Sequence, residues 1–546
     1  MVKHRVNFDL FLGPMIFSNL LTNSLLRKNV FLSKAIFSIV VLAISGHCGL
    51  AQQPGAGLYR ESLSGIERKL GGLKLKTHHH IQPAPRGLDP VFESLVDSAS
   101  FSETKKNKLS LTAFGQLAGG LQTDNSTPII GDAFGGAMLD YAHNKKFYAT
   151  IGFSYNVLMA PQYLETFGKA SHVLPGVDYS RNFENNLFAA PYSFGRISYQ
   201  AGKYFNFEIG KGKNFMGDGY RSLILSDLSA TYPYGRIITK IGKIQYTNLW
   251  AQMRDLTQNS DIDAVRRKYI AMHSVSFNIN SKVNLSLYEM VVWQNKDKNS
   301  ERALDINYLN PIIFYRPLEY AQGSADNVLL AASLRVKATK KIQVYGQLLI
   351  DEFNLKQLRS NAKWWADKFG GQVGFRAFDL GIKGLGLQSE LNAVRPFTYS
   401  HGSPVQSWTN LNQPLAHPLG ANFLEWVNII RYDTGKWKFT EQFIWAGFGR
   451  DRDIDDDGIS DNLGGDIFRS YRKPFRIYAN TLMQGNKSTF LFHQFTVSRK
   501  ILPNDLLEVF ISHTYRYEKN DFGLSRDNFI MIGIRTAGLL QPQRDF

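Results

Sequence analysis

Four stretches of the chain gather the side chains that hold ligands. The first is 210–236, GKGKNFMGDGYRSLILSDLSATYPYGR, where Gly210, Gly212, Gly217, Gly219 and Gly235 permit tight backbone paths with positive φ. Among them stand Asp218, Tyr220, Arg221, Asp227, Tyr232 and Tyr234, the set expected where a loop holds a polar ligand or a neighbouring loop. The second stretch, 310–327, places Arg316, Glu319 and Asp326 near the start of a strand. A planar guanidinium there holds a sugar or anchors a loop, and an Arg–carboxylate pair lining an interior is the plainer alternative. The third, 395–420, carries Tyr399, His401, Trp408 and His417 among Pro, Asn, Gln and Ser. Aromatic faces beside amides and hydroxyls suit carbohydrate, whose rings stack and whose hydroxyls take hydrogen bonds. A loop that packs on its neighbours uses the same residues. The fourth, 451–466, sets Asp453, Asp455, Asp457, Gly458 and Asp461 in the order D-x-D-x-D-G-x-x-D. Oxygen ligands at alternate positions followed by a glycine bend are how a short loop wraps calcium. Gly464 stands where the usual bidentate Glu would be, so a solvated acidic loop competes with calcium, the one cofactor the sequence suggests.

Enzyme signatures are missing. There is no G-x-S-x-G, no H-E-x-x-H and no phosphate loop, because the GKGKN glycines lack the following G-K-[ST]. A non-catalytic protein is expected. His78, His79 and His80 invite a metal reading, but neighbours in extended chain point to opposite faces and no other ligand cluster lies close in sequence. The formal net charge is +17, yet Lys and Arg are scattered, with no sustained basic run or basic helix. That pattern argues against nucleic acid and suits an acidic surface such as anionic polysaccharide or lipid phosphate. The single cysteine, Cys48, excludes an internal disulfide framework and a Cys-based zinc site.

The elements that must position these loops begin after a targeting segment. Residues 27–34 are basic, 35–45 (AIFSIVVLAIS) are apolar, and Gly49-Leu50-Ala51 supplies small residues for cleavage after Ala51. Residues 1–51 therefore predict a signal peptide, with translation from Met15 and a lipid anchor on Cys48 as variants. Residues 52–107 are polar, hold Pro83, Pro85 and Pro90, and show short helical patterns, as expected of a periplasmic segment that plugs or caps the remainder of the chain. No later run is long and apolar enough for a membrane helix.

From Lys108 to Phe546 the pattern has period two. KVNLSLY sets Val283, Leu285 and Leu287 against Asn284, Ser286 and Tyr288, and KIQVYGQLL sets Ile342, Val344 and Leu348 against Gln343, Tyr345 and Gln347. Lipid on one face and a polar lumen on the other require this alternation, although a soluble sandwich shares it. Connection length separates the two. Eight tight joints, near Asn144, Gly202, Gly242, Ser281, Thr339, Gly381, Gly435 and Asn504, alternate with nine long stretches, near 122–130, 159–190, 212–233, 256–265, 295–326, 353–367, 397–418, 451–485 and 518–526. The expected fold is all-β: an outer-membrane antiparallel barrel of about eighteen strands with long outward loops, in a bacterial outer membrane. The last strand, NFIMIGIRT, and the terminal Phe546 match an outer-membrane assembly signal.

Three blocks in order resemble the Wzi capsule-assembly family: MGDGYRSLILSDLSATYP, then NPIIFYRPLEY…DN with YGQLLIDE, then YSHGSPVQ…AHPLG. Their wording is closer still to the RemB-like branch, described in gliding bacteria. The positions carried over are Gly217, Gly219, Leu225, Ser226, Asp227, Pro233, Arg316, Pro317, Asp326 and Asn327, while Met216 and Asp218 depart from the Trp- and Pro-like residues of capsule members. The resemblance implies an eighteen-stranded barrel with a periplasmic helical part that binds capsular or exported polysaccharide like a lectin. Tyr232, Tyr234 and Trp408 are then the rings expected to stack on sugar. A motility or adhesion component binding protein partners and a solute channel remain the alternatives.

Overall fold

The structure is a computed structural model. It describes residues 81–82 and, from 107 to 546, all but 124–127, 145, 185, 257–264, 297–301, 303–304, 312–325, 353, 361, 455–457, 502–506 and 537–543. The signal peptide, His78–His80 and nearly all of the expected periplasmic segment lie outside the described residues. Among the described residues no helix is long and apolar enough to cross a membrane.

Eighteen antiparallel strands close into one barrel. In chain order they are β1 Asn107–Thr123, β2 Ile129–His143, β3 Phe147–Met159, β4 Leu187–Ala201, β5 Phe205–Gly212 and β6 Tyr232–Ile241. The middle of the wall is β7 Ile244–Asp255, β8 Arg266–Asn278, β9 Val283–Gln294, β10 Asn327–Lys337, β11 Ile342–Glu352 and β12 Lys368–Phe378. The rest is β13 Leu385–Val394, β14 Phe423–Asp433, β15 Trp437–Arg450, β16 Asn486–Lys500, β17 Leu507–Asn520 and β18 Gly523–Thr536. Closure is made by β1 on β18, with Gln116 opposite Arg535 through Thr123 opposite Asn528. A closed ring leaves no unpaired edge, the condition for strands to stand in lipid.

The alternation read from sequence is the alternation of the wall. Asn284, Ser286, Tyr288, Gln343, Tyr345 and Gln347 are buried inside, while Leu287, Val344 and Leu348 face out. Leu109 and Leu111, each 66% exposed, belong to the same outer band. An aromatic collar of Tyr199, Phe205, Phe207, Phe277, Phe375 and Trp437 rims that band on the tight-turn side. Trp426, set edge-on to Phe443 at 6.3 Å, lies toward the loop side. Such girdles mark the two membrane interfaces.

Seven of the eight expected tight joints are tight and share one rim; the one near Asn504 lies outside the described residues. Seven of the expected long connections are long and share the other, which short-turn polarity makes the outward one. One expectation is corrected. The stretch near 518–526 is a two-residue hairpin, because pairing continues from Leu507–Thr536 to Asn520–Gly523. Polarity there was mistaken for the end of a strand; beyond the lipid a strand needs no apolar face. The stretch near 122–130 follows the last facing pair, Leu121 with Ile129, and residues 124–127 of it lie outside the described residues. Among the described residues the outer connections carry two α-helices, α1 (Gln162–Ser171) and the single turn α2 (Leu355–Arg359). Of residues 52–106 only Ile81–Gln82 is described, and it pairs antiparallel with Phe215–Met216.

Candidate functional site

The 213–231 connection does not stand above the barrel. It turns inward, and Leu223, Ile224 and Leu225 are fully buried with Leu249, Met290, Leu329 and Val427 of the wall and Leu415 of the 395–422 connection. Burying side chains of this size stabilises by about 1.5–3 kcal/mol each. The Gly-x-Gly motif makes the turn possible for two separate reasons. Gly217 has φ +146°, and a Cβ there would meet Gln347 Nε2 at 2.2 Å. A Cβ on Gly219 would meet the Glu390 carboxylate at 2.4 Å and the Arg221 carbonyl at 2.6 Å.

The loop is tied to the wall through its polar residues. Backbone N–H groups of Tyr220 and Arg221 donate to Glu390 (2.7 and 3.0 Å), and the Leu223 N–H donates to Gln347 Oε1 (2.8 Å). Asp218 pairs with Arg335 at 3.2 Å. Arg221 is 1% exposed, and its guanidinium bridges Glu425 (3.1 Å) and Asp545 (2.9 Å). Burial works against that charge, but Asp545 and Glu425 overcome it and hold the group charged. The Tyr220 hydroxyl donates to Asp545 (2.6 Å), and burial with the Asp545 charge raises it far above the usual phenol range.

The 395–422 connection locks onto the first. Tyr399 Oη donates to the Leu223 carbonyl (2.7 Å), Trp408 Nε1 donates to the Ile224 carbonyl (2.8 Å), and the Ser226 N–H donates to the Leu415 carbonyl (2.7 Å). His417 Nε2 and Glu425 are 2.6 Å apart. Burial lowers the His417 imidazole against the pull of Glu425, and burial followed by Lys368 pushes His401 down to about 4.

These positions correct the expected sugar-stacking role of three rings. Tyr232, Tyr234 and Trp408 are buried in the lumen. Tyr232 Oη accepts from the Asn214 N–H (3.1 Å), and Tyr234 Oη donates to Glu208 (2.6 Å), which also pairs with Arg236 at 2.8 Å. Of the two roles open to them, loop anchoring is what their packing performs, because no surface polymer touches a side chain the loops already cover. Tyr399 is buried with them, and His401 accepts from the Ser403 N–H at 3.2 Å and lies edge-on to Tyr471 at 5.5 Å. Asp227 stays half-buried, its carbonyl accepting from Lys213 Nζ (3.0 Å).

Asp326 is a structural hub. It receives both Arg302 Nη1 (2.9 Å) and Nη2 (2.8 Å), Tyr308 Oη (2.8 Å) and Gln406 Nε2 (2.9 Å). Arg316 and Glu319 lie outside the described residues. Arg302 was missed because nothing in its neighbours distinguishes it from a solvated loop cation. In the acidic loop, Asp453 Oδ2 accepts from the Gly458 N–H and Asp461 Oδ2 from the Ile454 N–H, both at 2.8 Å. Asp453 Oδ1 has no hydrogen-bond partner among the described residues, and Asp455 and Asp457 lie outside them. Among the described residues no group of three or more His, Cys, Asp or Glu side chains is placed to hold a metal ion.

The C-terminal residues return into the barrel. Arg544 pairs with Asp132 (2.9 Å), Tyr163 Oη donates to the Arg544 carbonyl (2.7 Å), and the Phe546 ring meets Phe167 of α1 edge-on at 5.5 Å. Phe546 thus lies ten residues beyond the last strand, which ends at Thr536.

No family profile and no curated protein sequence matches the chain. Among solved structures it is similar to Wzi of Escherichia coli, described as an outer-membrane protein involved in group 1 capsule assembly and a carbohydrate-binding β-barrel. That likeness has a TM-score of 0.53 at 12% identity and covers 88% of this chain and 98% of that one. The protein is a bacterial outer-membrane β-barrel. Other similar structures are Acinetobacter baumannii OccAB2, with TM-score 0.41, 11% identity and coverage of 79% and 97%. Pseudomonas aeruginosa OprD has TM-score 0.40, 10% identity and coverage of 78% and 94%. At these identities the likeness is one of fold.

Proposed function

We propose that the barrel is a non-enzymatic protein that binds and organises capsular or exported polysaccharide at the cell surface. The observation that supports this most is the mutual lock of the 213–231 and 395–422 connections inside the lumen. Loops that fill the interior hold the remaining outer loops as a fixed platform, and a fixed platform suits many weak contacts repeated along a polymer. The Escherichia coli barrel of the same fold is described as carbohydrate-binding, and the same task suits this one. Purified barrel should capture the surface polysaccharide of its own cell and show little conductance in planar bilayers. Large ohmic steps without polymer capture would replace this function with that of a solute channel.

A second reading, a motility or adhesion component, draws on exposed apolar side chains among the described outer residues, Ile306, Ile459 and Phe522. Photocrosslinkers at those positions in cells separate the two, since protein adducts favour the second and glycan adducts the first. Calcium at 453–461 belongs to the same proposal. Added calcium should protect that loop from trypsin, and Asp461→Asn should abolish the protection.

A further inference from the structure

Two outer connections run side by side on the rim. The Trp365 N–H donates to the Ile477 carbonyl, the Ala479 N–H to the Ala362 carbonyl and the Asn480 N–H to the Lys363 carbonyl, each at 3.0 Å. Neither 354–365 nor 467–485 contains an Asp or Glu. Lys356, Arg359, Lys363, Arg472, Lys473 and Arg476 are exposed there, and none of them forms an ion pair among the described residues. The seventh cation of these segments, Arg469, is held by Asp451 at 3.0 Å. Buried arginines of the lumen behave differently: Arg221 and Arg236 both meet carboxylates.

The patch is also rigid and partly apolar. Asn354 Oδ1 accepts from the Lys356 and Gln357 N–H groups and so caps α2. Trp365 is wedged between Phe397 (5.5 Å) and Tyr471 (5.1 Å). Leu355, Leu358, Ile477 and Tyr478 lie exposed among the cations, and the Arg476 guanidinium lies 5.4 Å from the Phe475 ring centre. Six like charges on one fixed surface repel one another unless a partner neutralises them. The exposed Tyr478 ring among those charges fits the face of a sugar ring.

We propose that this two-loop patch is where the barrel holds an acidic polysaccharide, a polymer carrying a carboxylate at regular intervals. The proposal rests on the function proposed above and names its ligand class and its place. Spaced cations on a rigid base match spaced anions on a chain, and each exposed contact is weak, so affinity grows with the number engaged.

Binding of polygalacturonate and of length-matched dextran to the full-length barrel in detergent tests it. Polygalacturonate should bind at least ~10-fold more tightly than dextran at low salt, and the difference should collapse near ~0.5 M salt. The triple variants Lys356→Gln/Arg359→Gln/Lys363→Gln and Arg472→Gln/Lys473→Gln/Arg476→Gln should each lose ~10-fold for polygalacturonate alone. The control Lys282→Gln/Lys340→Gln/Lys436→Gln, at the opposite rim, should not. Equal binding of the two polymers, or unchanged binding by both patch variants, overturns the patch while leaving polysaccharide binding intact. If the barrel captures neither these polymers nor its own cell's polysaccharide, the proposed function falls and the patch with it.

Discussion

At the scale of single residues, Arg221 shows how a candidate ligand contact became an anchor. Its guanidinium is enclosed by Glu425 and Asp545, so removing it leaves two buried carboxylates without their cation. Breaking a buried pair in this way costs about 3–5 kcal/mol. Arg221→Ala should therefore lower the temperature at which the folded gel band converts to the unfolded one. Adding Glu425→Gln to it should cost less than the sum of the two single changes; strict additivity would mean the bridge carries no energy. A second residue-scale prediction concerns pH. His401 is lowered to about 4 by burial, and His417 is lowered for the same reason. The unfolded chain, with imidazoles near ~6.5, binds more protons between that value and about 4. Stability should thus fall as pH drops through that window, by at most about 1.4 kcal/mol per pH unit for each group. His401→Gln should flatten the profile of folded-band stability against pH, and parallel profiles would remove His401 from the account.

At the scale of elements, the two inward connections are one unit. Trp408 and Tyr399 reach across the lumen to the carbonyls of Ile224 and Leu223, so each loop satisfies backbone groups the other buries. Trp408→Ala removes both a hydrogen bond and a large buried side chain, at a cost of about 3–5 kcal/mol. Limited proteolysis should then cut within 213–231 as well as 395–422, and cleavage confined to the mutated loop would deny the coupling. The sequence marked both loops as special, through glycines, aromatics and motif order. Their inward course was hidden, because a Trp whose N–H caps a carbonyl looks the same in sequence as one that stacks on sugar. The short turn Ile306–Leu309 repeats the lesson on the outer wall. Tyr308 packs on Trp293 at 4.9 Å, and its carbonyl takes the Trp250 indole N–H at 2.8 Å. No periodicity rule foretells a loop lying against the outside of its own barrel.

At the scale of the whole molecule, the ring is closed twice, once by strand pairing and once by what fills it. Arg544, Asp545 and Phe546 reach Asp132, Arg221 and Arg516 from within. Deleting residues 544–546 would take one partner from each of these three groups, leaving Arg221 only Glu425, so the shortened barrel should show raised bilayer conductance and a less heat-stable folded band. Unchanged values in both measurements would leave the tail no part in filling the lumen.

Strand number, seven of the eight expected tight turns, the outward and inward faces and the outer-membrane setting were determined by the sequence alone. Each rests on local rules, period-two alternation and turn residues, which neighbours in the chain satisfy among themselves. The destination of the loops was decided only by tertiary structure. Gly217 and Gly219 avoid wall residues more than a hundred positions away, Arg221 finds its carboxylates on β14 and in the tail, and the cations of 354–365 meet those of 467–485 across a backbone ladder. Such partners are set by where a closed ring brings distant strands together, and no stretch of sequence read by itself contains that distance.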